Sequence, residues 1–408
     1  MRLHLRTFGC RANHYDSEAV RARARSAGYE IVEDVTDADV VVFNSCAVTA
    51  EAERDLRRAV RRAAGRNPRV RSVVMGCASA LPHNAEALRA LPTVSHLVAG
   101  ADERGIADAL GLPASAEHGT ARQASVRAVL RIQDGCDEHC TFCATTMARG
   151  ANRSRPVEDL VREAARLSEW HPEIVLTGTH IGTWGADIGS SLGALVERLL
   201  RDVPAPRFRL SSVEATEVDD RLAALLGAGS ARLAPHLHAP LQSGSDRVLR
   251  RMGRHWYTAE RYARAVERLA ARLPVFGLGA DVIVGFPGET AEDFVATELL
   301  VQRLPFTYLH VFTFSARPGT AATRLPEAVN ASEARDRSLA LRALADRKGA
   351  AYRAARAGSR ADAIVISAAP GREAMTEDYL TVPMARARPR GERFEGTLRA
   401  DGGALVLY

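Results

Sequence analysis

The stretch that decides the fold is Gly135-Cys136-Asp137-Glu138-His139-Cys140-Thr141-Phe142-Cys143. Its three cysteines are spaced C-x3-C-x2-C within eight residues, just after a short apolar strand pattern, Ala128-Val129-Leu130-Arg131-Ile132. Three thiolates bind only three of the four irons of a cubane [4Fe–4S] cluster, so one iron stays open. An open iron can chelate the amino and carboxylate groups of S-adenosylmethionine (SAM) and pass it an electron, which starts radical chemistry. The spacing matches neither ferredoxin pattern nor the C-x2-C pairs of zinc sites. Two plainer readings stand beside it: a zinc ion with His139 as fourth ligand, and coincidence.

Outward from this loop the chain alternates strand and helix. Strand-like runs at residues 128–133, 174–179, 208–213, 237–241, 280–285 and 308–314 are separated by helical patterns at 157–170, 192–200, 220–226, 258–273 and 291–304. Pro156 suits a first helical turn, and Thr290-Ala291-Glu292-Asp293 is a capping-box pattern. Six β/α units predict an incomplete (βα)6 barrel with its chemistry at the C-terminal ends of the strands. The cysteine loop follows the first strand, where that rule wants it.

Upstream, residues 3–8, 40–45 and 70–76 form strand patterns; residues 17–27 and a stretch from Thr49 to about residue 64 form helical ones. This order predicts a small doubly wound parallel sheet. The remaining cysteines, Cys10, Cys46 and Cys77, each lie one or two residues beyond the end of one of those strands. Ligands of open α/β sheets gather outside the carboxyl ends of the strands, so the three distant thiols are expected to converge as a second three-thiolate site. The plain alternative is three buried apolar cysteines.

Residues 114–125 are small and polar and are taken as a linker. Downstream, a long Arg- and Ala-rich helix spans about residues 333–357. Short β runs follow at 363–366, 379–382, 394–398 and 404–407, which suits a small β-barrel. The expected division is 1–113 for the sheet domain, 114–125 for the linker, 126–345 for the barrel and 346–408 for the C-terminal domain. Arg386, Arg388, Arg390 and Arg393 could track a phosphate backbone; a solvated basic loop is the alternative.

At 408 residues, 46% hydrophobic and 25% charged, the chain has ordinary globular proportions. Its formal net charge is +6, with a pI near 9.2, and Lys348 is its only lysine. Arginine forks onto phosphate and stacks on bases, so nucleic acid is a fair partner, although Arg-rich codon usage would give the same balance. There is no apolar leader core and no run of membrane-spanning length. Six cysteines in such a chain suit metal or catalytic use in a reducing cytoplasm.

The whole chain resembles the radical SAM methylthiotransferases. The likeness rests on Thr7-Phe8-Gly9-Cys10-Arg11-Ala12-Asn13, on Asn44-Ser45-Cys46-Ala47-Val48-Thr49, on the C-x3-C-x2-C loop with Phe142 before its last cysteine, on Ser154-Arg155-Pro156, on Leu241-Gln242-Ser243-Gly244-Ser245-Asp246 and on Val284-Gly285-Phe286-Pro287-Gly288-Glu289-Thr290. Arg131-Ile132-Gln133-Asp134-Gly135-Cys136, His310-Val311-Phe312 and Ser315-Ala316-Arg317-Pro318-Gly319-Thr320 look most like the branch acting on N6-threonylcarbamoyladenosine beside the tRNA anticodon. The other branches act on N6-isopentenyladenosine of tRNA or on an aspartate of a ribosomal protein. One departure is Ala144-Thr145-Thr146-Met147 before Ala148-Arg149-Gly150, where the family usually carries an Ile-Pro-Tyr-like run.

The resemblance implies two [4Fe–4S] clusters, one on Cys136, Cys140 and Cys143 and one on Cys10, Cys46 and Cys77. It also implies two SAM molecules, one for the radical and one for the methyl group. Phe142, Thr177, Gly178, Ser212, Glu214 and Gln242 are the expected SAM contacts. The C-terminal domain is expected to resemble a TRAM RNA-binding barrel. Expected partners are the tRNA anticodon stem-loop, an electron donor such as flavodoxin or ferredoxin, and a sulfur donor. A non-enzymatic Fe–S protein that binds RNA is the rival from another class.

Overall fold

The computed structural model describes residues 1–47, 50–113, 122–368 and 371–408. Thr49 and most of the expected linker lie outside them. The first sheet contains β1 (Arg2–Thr7), β2 (Glu30–Ile31), β3 (Val40–Ser45), β4 (Arg71–Gly76) and β5 (Val94–Leu97), in the order β2-β1-β3-β4-β5. All four pairings are parallel. β3, Val-Val-Val-Phe-Asn-Ser, is buried at every position, as a parallel strand covered on both faces must be. The strand order reverses between β1 and β3, so the crevice beyond their carboxyl ends is the natural ligand position.

The helix after β1 runs Arg11–Ser26 and starts six residues before the expected Ser17. Ser17 is not a cap. Its hydroxyl accepts from Thr7 Oγ1 at 2.7 Å and from Asn44 Nδ2 at 3.0 Å, tying helix to sheet. The early start places the buried Asn13 beside Cys10 and turns the buried Asp16 toward Arg131 and Arg149.

The second unit contains β6 (Ala128–Arg131), β7 (Gln133–Asp134), β8 (Arg153–Ser154), β9 (Glu173–Thr177), β10 (Arg207–Leu210), β11 (His236–His238), β12 (Gly277–Val284) and β13 (Tyr308–Thr313). β6, β9 and β10 form one parallel set, and β11, β12 and β13 another. Parallel bridges Phe208–Leu233 and Ser212–His238 join them into one six-strand curved wall ending on β6 and β13. This is the incomplete barrel, and the helix Arg11–Ser26 packs along its β6 edge. Thr290 and Asp293 form the reciprocal cap expected for the helix Ala291–Arg303.

The helix Ala331–Arg356 passes unbroken through residues 345 and 346. It leads to β14 (Arg360–Val365), β15 (Glu373–Thr376), β16 (Thr381–Pro383), β17 (Arg393–Asp401) and β18 (Ala404–Leu407), an antiparallel sheet of order β16-β15-β14-β17-β18. A Met384–Leu407 bridge curls it toward closure.

A buried ionic cluster fastens this last sheet to the barrel. Glu173, with no exposure, accepts from Arg207 Nε at 2.6 Å, Arg209 Nε at 2.9 Å and Arg127 at 3.2 Å. Burial opposes the Glu173 charge, yet Arg209 and Arg207 hold its carboxyl well below the usual range. The same arginines reach on to backbone oxygens of Asp362, Glu377 and Thr376. Among the described residues no helix is long and apolar enough to cross a membrane.

Candidate cluster and substrate site

The two-residue ladder of β7 with β8 closes the cysteine loop at its base. Gly135 makes the turn into it at φ +74°, and a Cβ there would lie 1.8 Å from the Ala151 carbonyl oxygen, so only glycine fits. Cys136 Sγ lies 3.5 Å from His180 Nδ1, and His180 Nε2 lies 2.7 Å from Glu217. Burial works against charge on His180, but its contacts with Cys136 and Glu217 raise it to about 11. Cys140 Sγ accepts from Arg254 at 3.4 Å. Arg254 in turn is paired with Glu214, whose other oxygen accepts from Trp256 at 2.6 Å. Cys143 Sγ accepts the Thr145 amide at 3.3 Å and lies 3.1 Å from its hydroxyl.

The unusual Ala144–Met147 stretch thus has a local use. Thr145 starts the short helix Thr145–Arg149, which delivers Arg149 to the sheet domain. Arg149, 6% exposed, donates to Cys77 Sγ at 3.4 Å, Asn13 Oδ1 at 2.8 Å, Asp16 at 2.8 Å and Asp134 at 2.9 Å.

Around that guanidinium the sheet-domain cysteines converge. Cys10 Sγ is 3.7 Å and Cys77 Sγ 4.0 Å from the same Asn13 oxygen. Gly9, at φ +97°, brings the Cys10 turn so close to Cys46 that a Cβ would lie 2.8 Å from its Sγ. Cys77 and Cys143, one from each triad, line a single cavity with Ala47, Phe142 and Arg317. Burial pushes the Cys77 and Cys140 thiols up to about 12, so each needs a cation or a metal to ionise.

The donor sets fit clusters better than single ions. Among the described residues, no three of the cysteines lie close enough together to share one metal ion. A tetrahedral zinc with Zn–S near 2.3 Å would draw its thiolates to about 3.8 Å of one another. His139 is exposed and joins no such group.

The other anticipated residues divide. Phe142 packs edge-on to Phe286, with ring centroids 6.4 Å apart. Thr177 is buried at the end of β9; Gly178 sits against Gln133, whose backbone oxygen would lie 2.5 Å from a Cβ there. Ser212 is exposed at a strand end. Gln242 has φ +63° and is 9% exposed. Glu214 spends both oxygens on Arg254 and Trp256, a use its sequence position did not signal. Arg393 is bound to Asp362 and to the Ala231 carbonyl, and Arg388 to Glu392. Arg386 and Arg390 are exposed, with Arg390 reaching the Ala124 carbonyl at 3.3 Å.

Comparison with known proteins accords with this geometry. Residues 130–301 match the radical SAM superfamily, and residues 2–100 match a family described as uncharacterized protein family UPF0004. A threonylcarbamoyladenosine tRNA methylthiotransferase of Thermotoga maritima is 36% identical over 82% of this chain and 80% of its own. The Aquifex aeolicus protein of that name is 32% identical over 94% and 96%. A tRNA-2-methylthio-N(6)-dimethylallyladenosine synthase of Cereibacter sphaeroides is 35% identical over 93% and 91%. In fold, the chain resembles a radical SAM methyltransferase, TsrM, of Kitasatospora setae with TM-score 0.57, at 16% identity over 79% of this chain and 76% of that one. The chain is therefore an enzyme whose cofactors are [4Fe–4S] and SAM, and it belongs to the family of radical SAM tRNA methylthiotransferases.

Proposed function

We propose that this enzyme inserts a methylthio group at C2 of N6-threonylcarbamoyladenosine at position 37, beside the tRNA anticodon, in the cytoplasm. The observation that carries this reading is the match to two relatives of that name over 82% and 94% of the chain. In this reading Cys136, Cys140 and Cys143 hold one [4Fe–4S] cluster and Cys10, Cys46 and Cys77 a second. Bound there, the clusters and two SAM molecules supply the radical, the sulfur and the methyl group that an unactivated C–H bond requires.

The chain's own residues orient and insulate. Arg254 and Arg149 each neutralise one half-buried thiolate, and Arg149 also locks the two triads into one geometry. Phe142, backed by Phe286, walls the shared cavity against water. Thr177, Gly178, Ser212 and Gln242 face SAM, with Glu214 acting through Arg254. An electron donor such as flavodoxin or ferredoxin and a sulfur donor complete the reaction. Arg386 and Arg390 contact tRNA phosphates, whereas Arg388 and Arg393 brace the domain. Replacing Arg386 and Arg390 by Gln lowers the salt slope of tRNA binding by roughly 1.4–1.8, at about 0.7–0.9 per lost phosphate contact. An unchanged slope would remove them from the interface.

The second reading, N6-dimethylallyladenosine as substrate, is favoured by the Cereibacter relative. Mass spectrometry of tRNA nucleosides from a deletion strain separates the two. Loss of the methylthio group from the threonylcarbamoyl nucleoside alone is expected; its loss from the isopentenyl nucleoside instead would overturn the reading.

A further inference from the structure

On β13 the side chains of Tyr308, His310 and Phe312 face the barrel interior, opposite Gly279, Asp281 and Ile283 of β12. The intervening Val311 is buried against the core. Although they face inward, the His310 side chain is 55% exposed and Phe312 40%. The interior is therefore open along this wall, and its lining is polar. Tyr308 bridges His236 at 2.9 Å and His238 at 3.1 Å. Asp281 Oδ1 lies 3.1 Å from both His238 Nε2 and His310 Nδ1. The bottom is closed by Tyr379 of the C-terminal sheet, whose ring lies 4.5 Å from that of His236 and 5.7 Å from that of Tyr308. Tyr379 is held at φ +74° in a turn whose Asp378 is gripped by Arg356 at 2.9 Å and Tyr352 at 2.6 Å.

Three arginines lie over the Tyr379 ring, and they are not equivalent. Arg127 and Arg209 share Glu173. The third, Arg11, is half-buried and donates to the Tyr379 hydroxyl at 2.8 Å. Among the described residues no carboxylate lies within ion-pair distance of it. A half-buried guanidinium without a counter-ion favours an anion, and its planar fork matches a carboxylate. Burial keeps the neighbouring His236 neutral, and the fields of Arg209 and Arg11 add to this, so the histidine does not compete for that anion.

Resting on the substrate reading above, we propose that Arg11 is the specificity-determining residue that binds the carboxylate carried by the N6 substituent, with Tyr379 as its positioning residue. Three anions could meet it, and two are poorly placed. When a base is extruded into an enzyme site its phosphates stay with the backbone outside. The SAM carboxylate belongs to the Cys136–Cys143 loop. On adenine, N1 lies between C2 and C6, and C6 carries N6, so an N6 substituent turned toward N1 lies along the reacting edge. Arg11 directly follows Cys10, one of the triad assigned to sulfur handling, and so stands beside that edge. An apolar isopentenyl group would leave the guanidinium unpaired.

The test uses the full-length reconstituted enzyme and three anticodon stem-loops, carrying threonylcarbamoyladenosine, its neutral methyl ester, or isopentenyladenosine. Affinities are measured at one salt concentration. The wild type should prefer the carboxylate over the ester by about ten- to a hundredfold, the range of one charged hydrogen-bonded pair. Arg11→Gln should shrink that ratio to below about threefold, and Arg11→Lys should restore part of it. Tyr379→Phe should reduce it by a smaller factor and raise KM more than it lowers kcat. The ratio is taken within each variant, so loss of folded protein cancels. If Arg11→Gln keeps the full wild-type ratio, the role of Arg11 is overturned while the substrate stands. If the wild type itself binds the isopentenyl stem-loop best, the substrate reading falls and the role of Arg11 with it.

Discussion

The two cysteine triads offer the same chemistry by opposite routes. One is local: Cys136, Cys140 and Cys143 share a single loop closed by a two-residue ladder. The other is assembled by the fold, from the ends of β1, β3 and β4, with Cys10 and Cys77 separated by 66 intervening residues. Yet each triad sets one half-buried cysteine 3.4 Å from one buried arginine, Cys140 with Arg254 and Cys77 with Arg149. The arginines differ in their anchors. Arg254 is held within the barrel by Glu214, whereas Arg149 leaves the barrel loop and is held by Asp16 and Asn13 of the sheet domain. Only the second arrangement makes the position of one triad depend on the other.

The largest expected effect comes from removing one triad. Wild-type protein reconstituted without oxygen should bind about eight irons, two cubanes. Replacing Cys10, Cys46 and Cys77 by Ala should leave about four, keep reductive cleavage of SAM to 5′-deoxyadenosine, and abolish methylthiolated tRNA. The ratio of deoxyadenosine to product, on protein shown to be folded, is the measurement. A folded triple variant that still makes product would reduce those cysteines to packing residues.

Next come the two arginines. Arg149→Ala strands Asp16 and Asp134, and removing one member of a buried ion cluster costs about 3–5 kcal/mol. Arg131 remains on both aspartates, so the lower end of that range is expected in urea unfolding. Arg254→Ala strands Glu214 at a similar cost, but its damage should stay inside the barrel. The discriminating observable is coupling: Arg149→Ala should impair product formation more than SAM cleavage, and Arg254→Ala should impair both equally. Equal profiles would dissolve the contrast between the anchors.

The same contrast explains what was legible beforehand. The barrel triad is visible because its ligands are close in sequence, and the six strands because short strand-like runs alternate with helical patterns along the chain, even where, as in β10 and β11, arginine or histidine interrupts the apolar residues. The sheet-domain triad is visible only once each cysteine is seen to follow a strand, because convergence there is a property of parallel strand order. Arg149, Arg254 and Asn13 stayed hidden. Arginine is so frequent in this chain that no single one stands out, and their partners lie far away in sequence, up to 136 residues for Asn13 and Arg149. The helix start at Arg11 was not legible because Cys10 offers no side-chain cap, and Ser17, where the helical pattern begins, spends its hydroxyl on the sheet. β15 escaped because Glu373-Ala374-Met375-Thr376 has little strand character until β14 pairs with it. Arg393 looked like a phosphate ligand because sequence cannot show that Asp362 lies beside it.

The smallest effect probes the local triad at its least protected member. The contacts of Cys143 are with Thr145, through an amide at 3.3 Å and a hydroxyl at 3.1 Å. Thr145→Val keeps shape and amide and deletes the hydroxyl. One neutral hydrogen bond is worth about 1 kcal/mol, so stability should fall by no more than that. Hydrogen bonds to ligating sulfur stabilise the more negative, reduced state, so losing one should lower the reduction potential of the barrel cluster by about 40 mV. Cys77 and Cys143 line one cavity but Thr145 bonds only Cys143, so the potential of the sheet-domain cluster should stay put. Potentiometric titration followed by electron paramagnetic resonance resolves the two signals. A shift confined to the sheet-domain signal would mean that Cys143 had been assigned to the wrong triad.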